Sequence, residues 1–391
     1  MNKYLITLTI IVIILVGAYY LLFTNPEQQI SQTPTSTLES VKLGLMVPLS
    51  GDNAPLGESV LAGAHLAVKE INDAGGINGR SLEITFEDDQ CAKDGGIAAM
   101  TKLVVINQVT AILGSLCSEA SASANAVAQV AGVPTIMIGA SSPELTKAGE
   151  YIFSVYPTDR SQGESAAEYL RSVLKKEKAA VVYADNSESK NINESFTSKF
   201  KELGGKVVYS SAPAKGIVSK IKSAKPDVIL LPLSPAVALS IVKEINDAKL
   251  KGMIIGFWSW DVDLLTTAKE ADGHSYLAPR MNNFIEFKNK MKTVVGKDAT
   301  IHSAYVYDAI KILAETMKQT GTDKKSLRTA LVQVFYDKGV SAPTIEFNDN
   351  RELKTFLLDL KTIKGGRADI VSFEVSIASS TVSSTPSSTG R

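Results

Sequence analysis

Residues 41–88 read VKLGLMVPLSGDNAPLGESVLAGAHLAVKEINDAGGINGRSLEITFED, and the order of elements in this stretch decides the fold class. Val41–Pro48 is an apolar run of strand length. Beyond it Val60, Ala64, Ala67 and Ile71 recur at helical spacing, so Gly57–Asp73 is a helix with one apolar face. Gly75-Gly76 ends that helix, because glycine takes the left-handed conformation of a C-terminal cap without strain. Asn78-Gly79 then turns the chain into a second strand, Leu82–Asp88.

The rhythm continues outward from this stretch. Helix Ala92–Asn107, strand Thr110–Gly114, helix Ser118–Ala131 and strand Pro134–Ile138 follow. A second series opens with a helix at Arg160, then strand Lys178–Tyr183, helix Asn191–Leu203 and strand Lys206–Ser210. It goes on through strand Val228–Leu231, helix Pro235–Asp247 and strand Gly252–Phe257. Alternating strands and helices imply parallel sheets with helices on both faces. Two such series give an α/β protein of two Rossmann-like, doubly wound lobes. The length of 391 residues agrees, being too great for one ordinary core.

Composition narrows the partners. Apolar residues make up 45% and charged residues 21%, a globular mixture. Lysine plus arginine equals aspartate plus glutamate at 41 each, and no dense basic run occurs. Phosphate backbones need a basic surface, so nucleic acid is not an expected partner. Cys91 and Cys117 are the two cysteines. In an exported chain such a pair favours one disulfide over the alternative of two buried thiols. His65, His274 and His302 show no metal-ligand spacing with them, and no cofactor motif occurs.

The export signal is at the N-terminus. No charge interrupts Tyr4 to Phe23, and twenty helical residues span roughly 30 Å, the thickness of a bilayer core. Lys3 precedes this run and Glu27 follows it, which favours a cytoplasmic stub at residues 1–3 and a body outside. Gly17-Ala18 is followed by Tyr19-Tyr20-Leu21-Leu22-Phe23, so cleavage there would leave an apolar end. The segment 4–23 therefore reads as an uncleaved transmembrane signal anchor, the alternative being a cleaved signal peptide. Residues 24–40 are a polar linker, and 376–391 are nearly all Ser/Thr and small residues, expected to be disordered.

Open parallel sheets bind ligands beyond the carboxyl ends of their strands. In the first lobe those ends are Leu49-Ser50-Gly51, Gly114-Ser115-Leu116-Cys117-Ser118 and Gly139-Ala140-Ser141-Ser142-Pro143. Small and hydroxylic residues ahead of helices suit a carboxylate. Ser118 or Ser141 alone reads as a helix cap; three such loops on one edge read as a ligand site. In the second lobe the ends are Tyr183–Glu188, Pro232-Leu233-Ser234 and Trp258-Ser259-Trp260-Asp261. Both tryptophans fall in the last loop, either as packing residues or as a clamp on a ligand.

The order of these features resembles the leucine/isoleucine/valine-binding proteins, receptors of ABC importers with the type I periplasmic-binding fold. The resemblance rests on Pro48-Leu49-Ser50-Gly51, Glu70–Gly79, Glu87–Cys91, Gly114–Ser118, Asp159–Gly163 and Ala304–Ala309. It implies a three-strand hinge, with crossings near Tyr156, Pro279 and Ala342. Lobe 1 would comprise residues 41–156 and 280–341, including helices Phe284–Val295 and His302–Thr320. Lobe 2 would comprise 157–279 and 342–375, completed by strands Thr344–Phe347 and Lys354–Leu360. The family's disulfide sits at Cys91 and Cys117. Its carboxylate site matches Ser118, the Gly139-Ala140 backbone and Ser141. In the second lobe its aromatics align with Glu188 and Ser234, and the acid that receives the ligand's ammonium aligns with Trp258. Either the ligand lacks an ammonium, or Glu188 or Asp261 supplies the charge.

The expected function is that of an extracytoplasmic receptor. It would bind an amino acid or related small carboxylate, close by a hinge, and present it to an ABC permease and ATPase. The alternative is a sensor of the same fold working through a membrane signalling partner. No nucleophile elbow, Walker loop or dinucleotide fingerprint is present, so no enzymatic activity is expected.

Overall fold

The computed structural model describes residues 39–260, 263–371 and 376–378. The expected stub, anchor and most of the linker lie outside the described residues, as do residues 379–391. Among the described residues no helix is long and apolar enough to cross a membrane.

Lobe 1 is built on five parallel strands: β1 (Val41–Val47), β2 (Leu82–Asp88), β3 (Ala111–Gly114), β4 (Thr135–Met137) and β5 (Ile152–Ser154), in the order β2-β1-β3-β4-β5. Helices α1 (Ala54–Asp73), α2 (Lys93–Thr101) and α3 (Ser118–Ala131) connect them, and α2 runs on in a wider turn through Ile106. Successive strand residues point to opposite faces, and both faces are covered. Leu43, Leu45 and Val47 join the helix face of Val60, Ala64, Ala67 and Ile71. Met46 joins Met100, Ile112 and Met137 on the other side. Each large apolar side chain so buried contributes about 1.5–3 kcal/mol. The turn after α1 forms as expected: Asn78 and Gly79 both have positive φ, and Ile77 and Arg80 exchange backbone hydrogen bonds of 2.8 and 3.0 Å.

Lobe 2 repeats the plan. Helix α4 (Asp159–Glu168) leads in, followed by β6 (Lys178–Val182), α5 (Ser187–Glu202), β7 (Lys206–Ser211) and α6 (Ile217–Ala224). Then come β8 (Val228–Leu231), α7 (Pro235–Asp247), β9 (Met253–Gly256) and β10 (Ser275–Pro279). The parallel order β7-β6-β8-β9-β10 has the same winding as lobe 1. Helices α4 and α5 pack closely, because a Cβ on Gly163 would lie 2.1 Å from Ser195 Oγ.

The chain returns to lobe 1 with α8 (Phe284–Lys290), whose last turns widen through Val295, then α9 (Ile301–Thr320) and α10 (Lys324–Leu331). Helix α9 lies against α1 at near backbone contact: a Cβ on Gly63 would sit 2.3 Å from the Ser303 carbonyl. Strands β11 (Phe335–Tyr336) and β12 (Ile345–Glu346) form a separate ribbon, and β13 (Thr355–Lys364) and β14 (Arg367–Val371) extend the lobe 2 sheet antiparallel beside β10.

Two expectations about the C-terminal part are corrected. Thr344–Phe347 does not join the lobe 2 sheet: its strand pairs with β11, and the chain stays on lobe 1 until Glu352 bridges Ser154. The cause is Asp308 on α9. Its Oδ2 accepts from the amides of Val340 (2.8 Å) and Ser341 (2.6 Å) and from the Ser341 hydroxyl (2.6 Å). That grip carries the third passage past Ala342 to the residues just before β13. Ser376–Ala378, expected in a disordered tail, forms β15 against Thr355–Leu357.

Candidate functional site

In each sheet the winding reverses at one point, between β1 and β3 in lobe 1 and between β6 and β8 in lobe 2. Parallel sheets bind ligands outside the carboxyl ends at such points. Loops leaving β3 and β6 here face one another across a cleft of about 1070 Å³. Ser118, Gly139, Ser141 and Glu188 all line it.

The lobe 1 wall is a loop folded back on α3. The Cys117 amide donates to Ser115 Oγ (3.0 Å) and the Ser115 amide to Ser121 Oγ (3.3 Å). A disulfide between Cys91 and Cys117 ties this loop to the end of β2. Ser118 begins α3, whose cap makes no side-chain hydrogen bond, leaving first-turn amides to meet an anion. Its Oγ does not cap; it accepts from the Ser142 amide at 3.3 Å, joining the two ligand loops. Gly139 lets the two loops pack closely, since a Cβ there would lie 2.6 Å from Leu116 Cδ2 and 3.4 Å from the His302 ring. Ala140 turns the other way and is buried in the core beneath the loop, so it contributes no side chain to the cleft.

The lobe 2 wall is acidic. Asp159 starts α4 behind the cap Thr158, whose hydroxyl accepts from the Ser161 amide at 3.2 Å. The Asp159 side chain is buried and lines the cleft. Oδ2 accepts from Asn191 Nδ2 at 3.0 Å, while Oδ1 has no hydrogen-bond partner. Burial pushes the Asp159 pKa up, against the opposing pull of the Ser141 hydroxyl and the Asn191 amide. Glu188, at the start of α5, is exposed to the open cleft. The surrounding protein, and then the Asp159 charge, push its pKa up as well. Among the described residues neither carboxylate has an ion-pair partner. Two like charges without a cation are costly unless a ligand brings one.

Between the walls Tyr156 stacks on His302 with ring centroids 5.8 Å apart, and burial pushes the His302 pKa down to about 4, leaving it neutral. Leu56, Leu116, Met281, Phe284 and Ile301 make the apolar lining.

Other candidates fall elsewhere. Ser234 precedes α7 in a side recess of about 220 Å³ that it shares with Glu188 and Ser259. Trp260 is fully buried against Gly256 in the lobe 2 core, so it packs and the paired-indole clamp does not form. The Trp258 side chain and Asp261 lie outside the described part. Among the described residues no group of His, Cys, Asp and Glu is placed to hold a metal.

Sequence reasoning did not name Asp159, Tyr156 or His302 as site residues. Asp159 carried a usable signal, an acid at the first position of a helix directly after the first crossing.

The sequence pattern of the periplasmic binding protein family matches residues 40–356. The chain belongs to that family. Within this family it is 27% identical over 328 residues to Leu/Ile/Val-binding protein homolog 1 of Brucella melitensis, covering 78% of this chain and 88% of that one. It is 30% identical over 202 residues to an amino acid binding protein of Pseudomonas aeruginosa, covering 50% of this chain and about half (54%) of that relative. The branched-chain amino acid transporter substrate binding protein LivJ of Streptococcus pneumoniae, solved with isoleucine, superposes with a TM-score of 0.71 at 25% identity. The match covers 86% of this chain and all (100%) of LivJ. A periplasmic-binding body of this kind is extracytoplasmic, and the proteins it resembles are binding proteins rather than enzymes.

Proposed function

We propose that this periplasmic binding protein is the receptor of an ABC importer for a free α-amino acid, with the branched-chain amino acids as reference ligands. The observation that carries this reading is Asp159, a buried carboxylate with no ion-pair partner among the described residues, which lines the same cleft as the open N-terminus of α3. An α-amino acid satisfies both at once. Its carboxylate meets the α3 amides and the hydroxyls of Ser118 and Ser141, and its ammonium meets Asp159 and Glu188. The acid expected at position 258 is thus replaced from α4 and α5. Leu56, Leu116 and Ile301 receive the side chain.

Each end of the ligand is gripped by a different lobe, so full contact requires the lobes to approach. Ligand then favours the closed form by its differential affinity for it, with the three passages as hinge. Binding proceeds without turnover, and the closed receptor is what a permease and its ATPase read. The charge-free segment at 4–23 would hold the body beside that transporter, raising its effective concentration.

A thermal-shift screen of amino acids, their amides and their deaminated keto acids tests this. A ligand at a hundred times its Kd adds about 2.7 kcal/mol. Amino acids should raise the midpoint and both analogue classes should not. A well-folded protein that no amino acid shifts would sink the reading.

A further inference from the structure

The side recess of lobe 2 opens beside the cleft, since Asn186, Glu188 and Ser259 line both. Its hydrogen-bonding groups are nearly all turned one way. Gln162 on α4 lines it and is 2% exposed. The Gln162 Nε2 donates to the Pro157 carbonyl at 3.1 Å, which fixes the amide, and among the described residues its Oε1 accepts no hydrogen bond. The Ser189 hydroxyl donates to the Pro232 carbonyl at 2.7 Å, and the Ser259 hydroxyl to that of Leu233 at 3.2 Å. A hydroxyl whose hydrogen is so engaged offers a ligand only lone pairs. Glu188, between recess and cleft, has no hydrogen bond or ion pair among the described residues. Asn186 accepts from the Ser189 amide at 2.9 Å and keeps its Nδ2 as a donor, while the Ser234 hydroxyl makes no cap bond and can turn either way. The first-turn residues Ala236 and Val237 of α7 are exposed and do not border the recess.

Charge points the same way. Asp159 and Glu188 bring two negative charges to this wall, and one α-ammonium balances one of them. Lys288 and Lys361 line the cleft but not the recess. We infer that the preferred ligand is a basic α-amino acid, whose side-chain cation is received by Glu188, Gln162 and the serine hydroxyls of this recess. The inference rests on the amino-acid reading above. An ammonium or guanidinium is all donor and no acceptor, which matches a wall of lone pairs. An apolar tip in the same place would cover Gln162 Oε1 and the Glu188 carboxylate without giving either a partner. The α-ammonium stays on Asp159, and the apolar lining of the cleft covers the aliphatic stem.

Titration calorimetry of the intact protein with lysine, ornithine and arginine, each against norleucine and leucine, tests the inference. Norleucine has the carbon chain of lysine without the second cation. At least one basic amino acid should bind about tenfold more tightly than norleucine, as one hydrogen-bonded charge supplies. Glu188→Gln should bring that ratio close to one. Gln162→Met, which keeps both carboxylates, should lower it by about threefold. Each ratio is read within one variant, so a general loss of affinity does not enter it, and circular dichroism confirms that the variants are folded. Norleucine or leucine binding as tightly as every basic amino acid would overturn this inference and leave the amino-acid reading standing. Failure of every amino acid to bind would overturn both.

Discussion

The Asp159 amide donates to the Ser141 carbonyl at 2.8 Å, which joins the first turn of lobe 2 to the ligand loop of lobe 1. The carboxylate of the same residue is the buried acceptor that the cleft leaves unsatisfied. One residue therefore sits at the hinge and at the site. Asp159→Asn keeps the shape and removes the charge. Amino-acid affinity should fall by about a hundredfold, because loss of one partner of a buried charge pair costs about 3–5 kcal/mol, discounted here for water in the cleft. The ligand-free protein should at the same time become more stable at pH 7, since a buried charge without a counter-ion is gone. Calorimetry and thermal melts of the two proteins check both signs.

Affinity should also depend on pH. Asp159 and Glu188 both hold their protons to higher pH than ordinary carboxylates, at about 3.9 and 4.3, while the ligand's ammonium stays charged. As pH falls, amino-acid affinity should start to drop above that ordinary range and continue through it. Ligand-free stability runs the other way. A carboxylate whose folded pKa exceeds its unfolded one binds more protons when folded, so its contribution grows as pH falls through the folded pKa. Asp159→Asn should flatten both profiles; equal pH dependence in the variant would show that other groups are responsible.

Gly163 sets the spacing of the two helices that present these acids. A Cβ there would lie 2.1 Å from Ser195 Oγ and 2.5 Å from the Ile192 carbonyl. Gly163→Ala should destabilise the protein by about 1–3 kcal/mol and weaken binding as well, by displacing α4 from α5. Adding Ser195→Ala should recover part of the loss in a urea titration, since the contact with the Ile192 backbone remains.

The disulfide closes a 26-residue separation and pins the loop that carries Ser118. Replacing Cys91 and Cys117 with serine should cost about 3–4 kcal/mol on the chain-entropy account. Binding should weaken beyond what the lower stability explains, because the loop loses its tie to β2. Comparing affinities well below the melting temperature of the variant separates the two effects.

Much of this was legible in the sequence for local reasons. Ser118–Ala131 and Pro235–Asp247 are helices with the bounds expected, one closed by Gly132 in the left-handed conformation and the other opened by a proline. Leu82–Asp88 and Val228–Leu231 are equally clear, as runs bounded by turn or loop residues. Ile152–Ser154 is too short to show a period. The burial of the Ala140 side chain was not legible: side chains alternate along the extended loop, so Gly139 and Ser141 line the cleft and the side chain between them faces the core. Asp159 and the third passage depend on contacts between distant segments, Asp159 with Ser141 and Asp308 with Ser341. Spacing along the chain carries no information about such pairs.

The central claim is that the cleft grips a carboxylate on lobe 1 and an ammonium on lobe 2. The most direct measurement is calorimetric titration of the protein at neutral pH with an amino acid that the thermal screen identifies, its amide and its keto acid. The account predicts heat of binding for the amino acid, and affinity at least a hundredfold weaker for each analogue. A keto acid that binds as tightly as its amino acid would contradict it, because Asp159 and Glu188 would then have no cation to receive.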